Sequence, residues 1–202
     1  MLFVLTHNED IRGEKYKEFN NSNEMGLLSF LLENKDIDIN VNNIIKMFAV
    51  LSNDEKASFR KANSQIVTSE TQFYVPASKE NIEKEMEQLC SDFKHLNHPK
   101  SDDFDDVFKF ILRFICIHPF SNGNGRMSVF LLEFLLMKFG LKNALYLPFD
   151  ALLNGVYINQ TTKEIRKASG FFYQMKEYQY DSYIDYMKEL LMKSYDLLLK
   201  IK

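Results

Sequence analysis

The sequence predicts an all-α fold carrying one small β-hairpin. Three observations lead there. Apolar residues recur at helical spacing in segment after segment. Only seven glycines and four prolines punctuate 202 residues, too few for a turn-rich β architecture. One stretch alone, residues 65–75, has strand-like composition.

The elements follow in chain order. Leu2, Phe3, Val4 and Leu5 open the chain, but His7, Asn8, Glu9 and Asp10 end that apolar run well short of a signal sequence or a membrane span. Helices are expected near 22–34, 42–51 and 53–62, the third with Ser52 and Glu55 at capping-box spacing. In 65–75, Ile66 and Val67, then Phe73, Tyr74 and Val75, flank the polar Thr68-Ser69-Glu70-Thr71, and Pro76 ends the run. This reads as a hairpin flap. From Ser78, placed to cap, to Leu96, the positions Ile82, Met86, Leu89, Phe93 and Leu96 keep a helical period. From Asp103 to Ile117 the chain is apolar almost all round, as expected of a central helix. Another apolar helix spans about 126–138 and Gly140 is placed to close it. Helices near 149–158, 161–176 (Thr161 and Glu164 again at capping-box spacing) and 181–200 complete the set. The organisation expected is N-terminal helices over 1–52 and a core over 53–202.

With 46% hydrophobic residues the chain can bury a sizeable core, and its net charge of −3 argues against a sequence-independent grip on nucleic acid. Cys90 and Cys116 lie on apolar helix faces without CxxC spacing. They read as buried thiols of a reducing compartment, so a cytoplasmic protein is expected. His7, His95 and His98 lack ligand spacing and read as surface histidines. Phe171, Phe172, Tyr173, Tyr178 and Tyr180 read as packing, and the charges from Glu80 to Glu87 as a solvated helix face.

The chemistry lies in His118-Pro119-Phe120-Ser121-Asn122-Gly123-Asn124-Gly125-Arg126. Gly123 and Gly125 let backbone N–H groups approach an anion, and the following helix presents its positive end to the same place. Arg126 can give a bidentate bond to a phosphate oxygen, while Asn122 can offer an oxygen to a hard cation such as Mg²⁺. His118, with an ordinary pKa of about 6.5, can take a proton from a hydroxyl. Phe120 is expected to point inward and anchor the loop, because a displaced base loses rate steeply.

These nine residues closely resemble the signature of the Fic (filamentation induced by cAMP) family, His-x-Phe-x-Asp/Glu-Gly-Asn-Gly-Arg-x-x-Arg. Phe59-Arg60, the hairpin with Val75-Pro76, the two helices that follow and Phe172-Tyr173 stand in the family's order, so the resemblance covers roughly 55–190. It implies a Fic-like helical bundle that transfers AMP from ATP to a Ser, Thr or Tyr hydroxyl of a target protein with Mg²⁺. On that resemblance His118 is the base, Asn122 occupies the metal-binding position, Gly123, Asn124 and Gly125 form the anion hole, and Arg126 grips phosphate. The hairpin, through Phe73, Tyr74 and Val75, would hold the target by main-chain pairing. The target itself is not named by the sequence, and a homo-oligomer is compatible with it.

Two positions depart from the pattern. Asn122 replaces an acidic residue, which predicts weaker metal binding. Val129 replaces the second arginine, which in the family binds the terminal phosphates. Fic proteins are often held off by a helix bearing Ser/Thr-x-x-x-Glu-Gly/Asn whose glutamate pairs with that arginine, and Ser29, Glu33 and Asn34, N-terminal to the core, fit its spacing within 22–34. The simpler reading of those three is a solvated helix face ending at Asn34. Two alternatives to AMP transfer stay open: a weak or inactive module that binds nucleotide or partner, and the same scaffold moving another phosphate-containing group or removing AMP.

Overall fold

The computed structural model describes residues 21–63, 66–68, 71–74, 76–141 and 180–200. The helices expected near 149–158 and 161–176, the N-terminal apolar run, Val75, Phe171, Phe172, Tyr173 and Tyr178 lie outside those residues.

Helix α1 (Asn21–Glu33) packs on α2 (Val41–Ser52). Asn40 caps α2, its Oδ1 accepting the Asn43 N–H at 2.9 Å. The opposite end explains why no helix forms over 53–62. Asn53 takes the left-handed conformation (φ 52°), Asp54 N–H bonds back to Ala49 O, and Asn53 N–H bonds to Val50 O. That double closure stops a helix. Asp54 then makes a turn of its own, its Oδ1 accepting Lys56 N–H and its carbonyl accepting Ala57 N–H. A short polar side chain that satisfies its neighbours' backbone in this way competes successfully with the helix that the Ser52 and Glu55 spacing suggests.

Two short strands, β1 (Ile66–Thr68) and β2 (Thr71–Tyr74), pair antiparallel with Thr68 opposite Thr71 and Ile66 opposite Tyr74. The register shifts between Ile66 and Val67. Helix α3 (Ile82–Asp92) is shorter at both ends than the 78–96 period suggests. Ser78 heads a turn, its carbonyl accepting Asn81 N–H, rather than capping the helix. Beyond Asp92 the chain tightens into a 3-10 turn, Lys94–Asn97, which keeps Leu96 buried and lets Asn97 Oδ1 accept the distant Ile39 N–H at 2.6 Å.

A second 3-10 turn, Ser101–Asp103, leads into α4 (Phe104–Ile117). Val107, Phe108, Phe110, Ile111, Leu112, Phe114, Cys116 and Ile117 are all buried, so α4 is covered on most sides, by α3, α5 (Asn124–Lys138) and α6 (Tyr180–Lys200). Gly140 closes α5 with φ 76°, its N–H bonding Met137 O while Leu141 N–H bonds Leu136 O. A residue with a Cβ is disfavoured at that φ, which is why a glycine serves there. Helix α6 seats Tyr183, Ile184, Met187 and Leu191 in the core, and Lys188 reaches Asp105 of α4.

The described residues are therefore mostly helical. No helix among them is long and apolar enough to cross a membrane. Neither cysteine is in a disulfide, and burial pushes the Cys90 thiol up to about 12, which makes it a packing group rather than a reactive one.

Candidate active site

The site is the connection between α4 and α5. Helix α4 stops because His118 leaves the right-handed region (φ 53°, ψ 59°), a conformation that a β-carbon disfavours and that surrounding bonds must hold. Its own N–H still bonds Phe114 O at 3.0 Å. Five residues later Gly123 takes φ 79°, and α5 starts at Asn124.

Two anchors fix the turn between. Phe120 is wholly buried, stacked on Phe48 of α2 with ring centroids 3.7 Å apart, and Phe59 and Phe114 close round it. Asn124 is the second. Its side chain reaches back across the turn, Oδ1 accepting Phe120 N–H at 2.9 Å and Nδ2 donating to Phe120 O at 2.8 Å. This satisfies both polar groups of a buried peptide, which would otherwise be left without water. The side chain of Asn124 thus holds the loop, and what that residue can offer a ligand is its backbone N–H.

His118 sits at the head of this rigid turn, largely buried. Burial holds its pKa down to about 4, and the nearby Arg60 cation adds to that, against a hydrogen bond to the Ile115 backbone that favours the protonated ring. A bond that favours the cation is one the ring donates, so the Ile115 carbonyl accepts. The imidazole is therefore neutral near pH 7, able to take up a proton, with one nitrogen donating to Ile115. Those are the requirements of a general base.

At the other end of the turn lies the start of α5. No side chain caps it, and the first N–H turned back into the helix is that of Met127, onto Gly123 O at 2.8 Å. The preceding N–H groups of a helix have no partner within it and carry its partial positive charge. A Cβ placed on Gly125 would have open space around it among the described residues, so that position of α5 is exposed, while Asn124, Met127 and Ser128 are buried. Ser128 secures the first turn by donating to Gly125 O at 2.7 Å. Arg126 stands half-buried in that turn. An uncapped end of a 15-residue helix with an arginine in its first turn fits a phosphate.

The fit to a cation is thinner. Asn122 is exposed, and its Oδ1 is turned onto Gly123 N–H at 2.7 Å. Among the described residues no three acidic, histidine or cysteine side chains gather as a metal site. Asn122 can contribute one neutral oxygen, so a Mg²⁺ ion would be held mainly by the phosphates that accompany it. Val129 lies partly buried against the core, and a valine offers a phosphate nothing.

The remaining candidate residues lie on other elements. Ser29 and Glu33 are exposed on α1, and Asn34 ends that helix by donating from Nδ2 to Phe30 O at 2.8 Å. Phe73 and Tyr74 lie in β2. The residue that the sequence did not mark as part of the site is Arg60. It is 5% exposed, and its guanidinium donates to backbone carbonyls of His118, Ile117, Ala62 and Ala77. A lone arginine after Phe59 has no sequence pattern that separates this role from a surface one.

The Fic/DOC family model matches residues 38–136, which take in α2, the strand pair, α3, α4, the turn and most of α5. Residues 38–136 are a Fic domain. A Fic family protein from Desulfovibrio desulfuricans G20 superposes with a TM-score of 0.69 at 17% identity, over 90% of this chain and 53% of that one. A Fic domain-containing signaling protein from Bacteroides thetaiotaomicron VPI-5482 gives 0.63 at 18%, over 89% and 70%. At such identities the likeness establishes the fold alone, and this chain spans about half the length of the Desulfovibrio protein. No curated protein matches the sequence. The Fic domain here thus has its signature turn built from this chain's own contacts: the Phe120 stack, the Asn124 clasp and the buried His118.

Proposed function

We propose that this Fic domain is a protein adenylyltransferase, moving AMP from ATP to a Ser, Thr or Tyr hydroxyl of another protein. The observation that carries the proposal is a buried, neutral histidine held across a rigid turn from an uncapped helix N-terminus. His118 takes the hydroxyl proton. The hydroxyl oxygen bonds to the α-phosphorus as the bond to the bridging oxygen breaks, and pyrophosphate leaves. The N–H groups of Asn124 and Gly125 with the Arg126 guanidinium, joined by Gly123 N–H once it exchanges Asn122 Oδ1 for a phosphate oxygen, would hold the phosphates and the charge that develops on them. Mg²⁺, when bound with the nucleotide, would neutralise phosphate charge, and Asn122 would be the residue to offer it an oxygen. The strand pair, with Phe73, Tyr74 and Val75, would act as the flap that holds the target strand by main-chain hydrogen bonds. We place the protein in the cytoplasm, where its two cysteines, neither in a disulfide, stay reduced.

A second reading has an observation of its own. Val129 packs on the core where the family carries its second arginine, and Asn122 turns its oxygen inward, so ATP could bind without turning over. Incubation with ATP labelled on the α-phosphate separates the two. Label in wild type that is lost in His118→Ala supports adenylyl transfer; ATP binding with no label in either supports a binding module. Label carried only by the γ-phosphate, or AMP released from a protein already modified, would assign the scaffold another phosphate chemistry.

A further inference from the structure

A buried cation without a carboxylate needs an explanation, because removing a guanidinium from water is costly unless its donors are met. Arg60 meets them entirely with main-chain oxygen. Nε donates to His118 O at 2.8 Å, Nη1 to Ala62 O at 2.7 Å, and Nη2 to Ala77 O and, at 3.4 Å, to Ile117 O. Its own N–H donates to Pro119 O at 2.9 Å. The carbonyls of Ile117 and His118 are at the negative end of α4, where a cation is favoured. Ala62 and Ala77 stand on either side of the strand pair. One side chain therefore joins the last peptides of α4 to both flanks of the segment that contains β1 and β2.

We propose that Arg60 is a positioning residue for His118: its planar fork fixes the left-handed His118 backbone and locks it to the roots of the hairpin. This rests on the reading of His118 as the base. The fork is what matters. A lysine keeps the charge, but three donors on a single atom cannot reach carbonyls that approach from three directions, whereas guanidinium presents five in a fixed plane. A mere C-terminal cap for α4 would tolerate that exchange, since a point charge serves the helix end as well. A positioning role would not.

The test compares wild type with Arg60→Lys in the full chain, following the His118 ring by NMR across pH and measuring label transfer from α-labelled ATP. In Arg60→Lys the His118 titration should move up toward that of an ordinary exposed histidine, and the maximal labelling rate should fall at least tenfold while the KM for ATP stays within twofold. A folded Arg60→Lys with an unchanged His118 titration would overturn the proposal. If wild type transfers no label, the adenylyltransferase reading fails, yet the ring titration still decides the positioning role. Should the variant not fold, hydrogen exchange in wild type decides instead. The Arg60 Nε–H should exchange at least tenfold more slowly than that of free arginine, and exchange at the free rate would mean that the clamp is absent in solution.

Discussion

The chemistry of the proposed site turns on two side chains whose roles are opposite in kind. Burial keeps His118 neutral, while the Asn124 amide is spent on the Phe120 peptide. Because burial lowers the His118 pKa to about 4, the ring stays a base well below the ordinary range, and label transfer should run nearly flat from pH 7.5 down to 5.5. A rate that halves near pH 6.5 would instead show a ring titrating as if exposed. The same shift predicts a stability effect with a definite sign. The unfolded chain takes up the His118 proton at about 6.5 and the folded one only near 4, so the contribution is whole above pH 6.5 and lost as pH falls through that interval. The difference amounts to about 3 kcal/mol. Urea unfolding of wild type and His118→Gln at pH 7 and pH 4.5 should show wild type losing the more. Asn124→Ala should destabilise at every pH, because it leaves the buried N–H and C=O of Phe120 unmet. We expect a loss of about 2–4 kcal/mol in urea unfolding. A cost near zero would mean that the turn relaxes to admit water.

Helices differ in how fully their residues announce them. The apolar surround of α4 and the Gly140 stop after α5 were legible because periodicity and a positive-φ terminus leave marks on the sequence itself. The turn after α2 was not. Asn53 and Asp54 are tolerable at a helix start, and only the closure made by their neighbours' backbone selects the left-handed turn instead. Arg60 was illegible for a related reason, since its partner His118 lies 58 residues along the chain. In the candidate site the same division holds: the signature residues stand out by type and spacing, while the contacts that hold them in place are tertiary. On α5 a further mismatch survives. Glu133 faces a largely buried environment that raises its pKa by desolvation, with no compensating charge among the described residues. A carboxyl raised in this way costs stability above its folded pKa and nothing below the ordinary glutamate range. Glu133→Gln should therefore raise the thermal midpoint at pH 7, with the gain shrinking as pH falls toward 4. An equal gain at both pH values would point to packing rather than charge.

Across the described residues, His118, the N-terminal end of α5 and the flanks of the strand pair are linked through the Phe48–Phe120 stack and the Arg60 side chain. Helix α1 is attached to these mainly through α2. This arrangement bears on the inhibitory pattern at Ser29, Glu33 and Asn34. An inhibitory glutamate needs a cation in the nucleotide site to pair with, and the position that supplies it in the family is Val129, partly buried and apolar. Glu33 itself is exposed in the last turn of α1, and Asn34 is occupied in ending that helix. A carboxylate in water gains little by crossing to a site without a partner. Glu33→Gly should thus leave the initial rate of label transfer within twofold of wild type, and the new glycine should cost the helix about 1 kcal/mol or less at so late a position. A tenfold rise in labelling, at unchanged secondary structure by circular dichroism, would instead show that Glu33 reaches the nucleotide and that some cation other than residue 129 receives it.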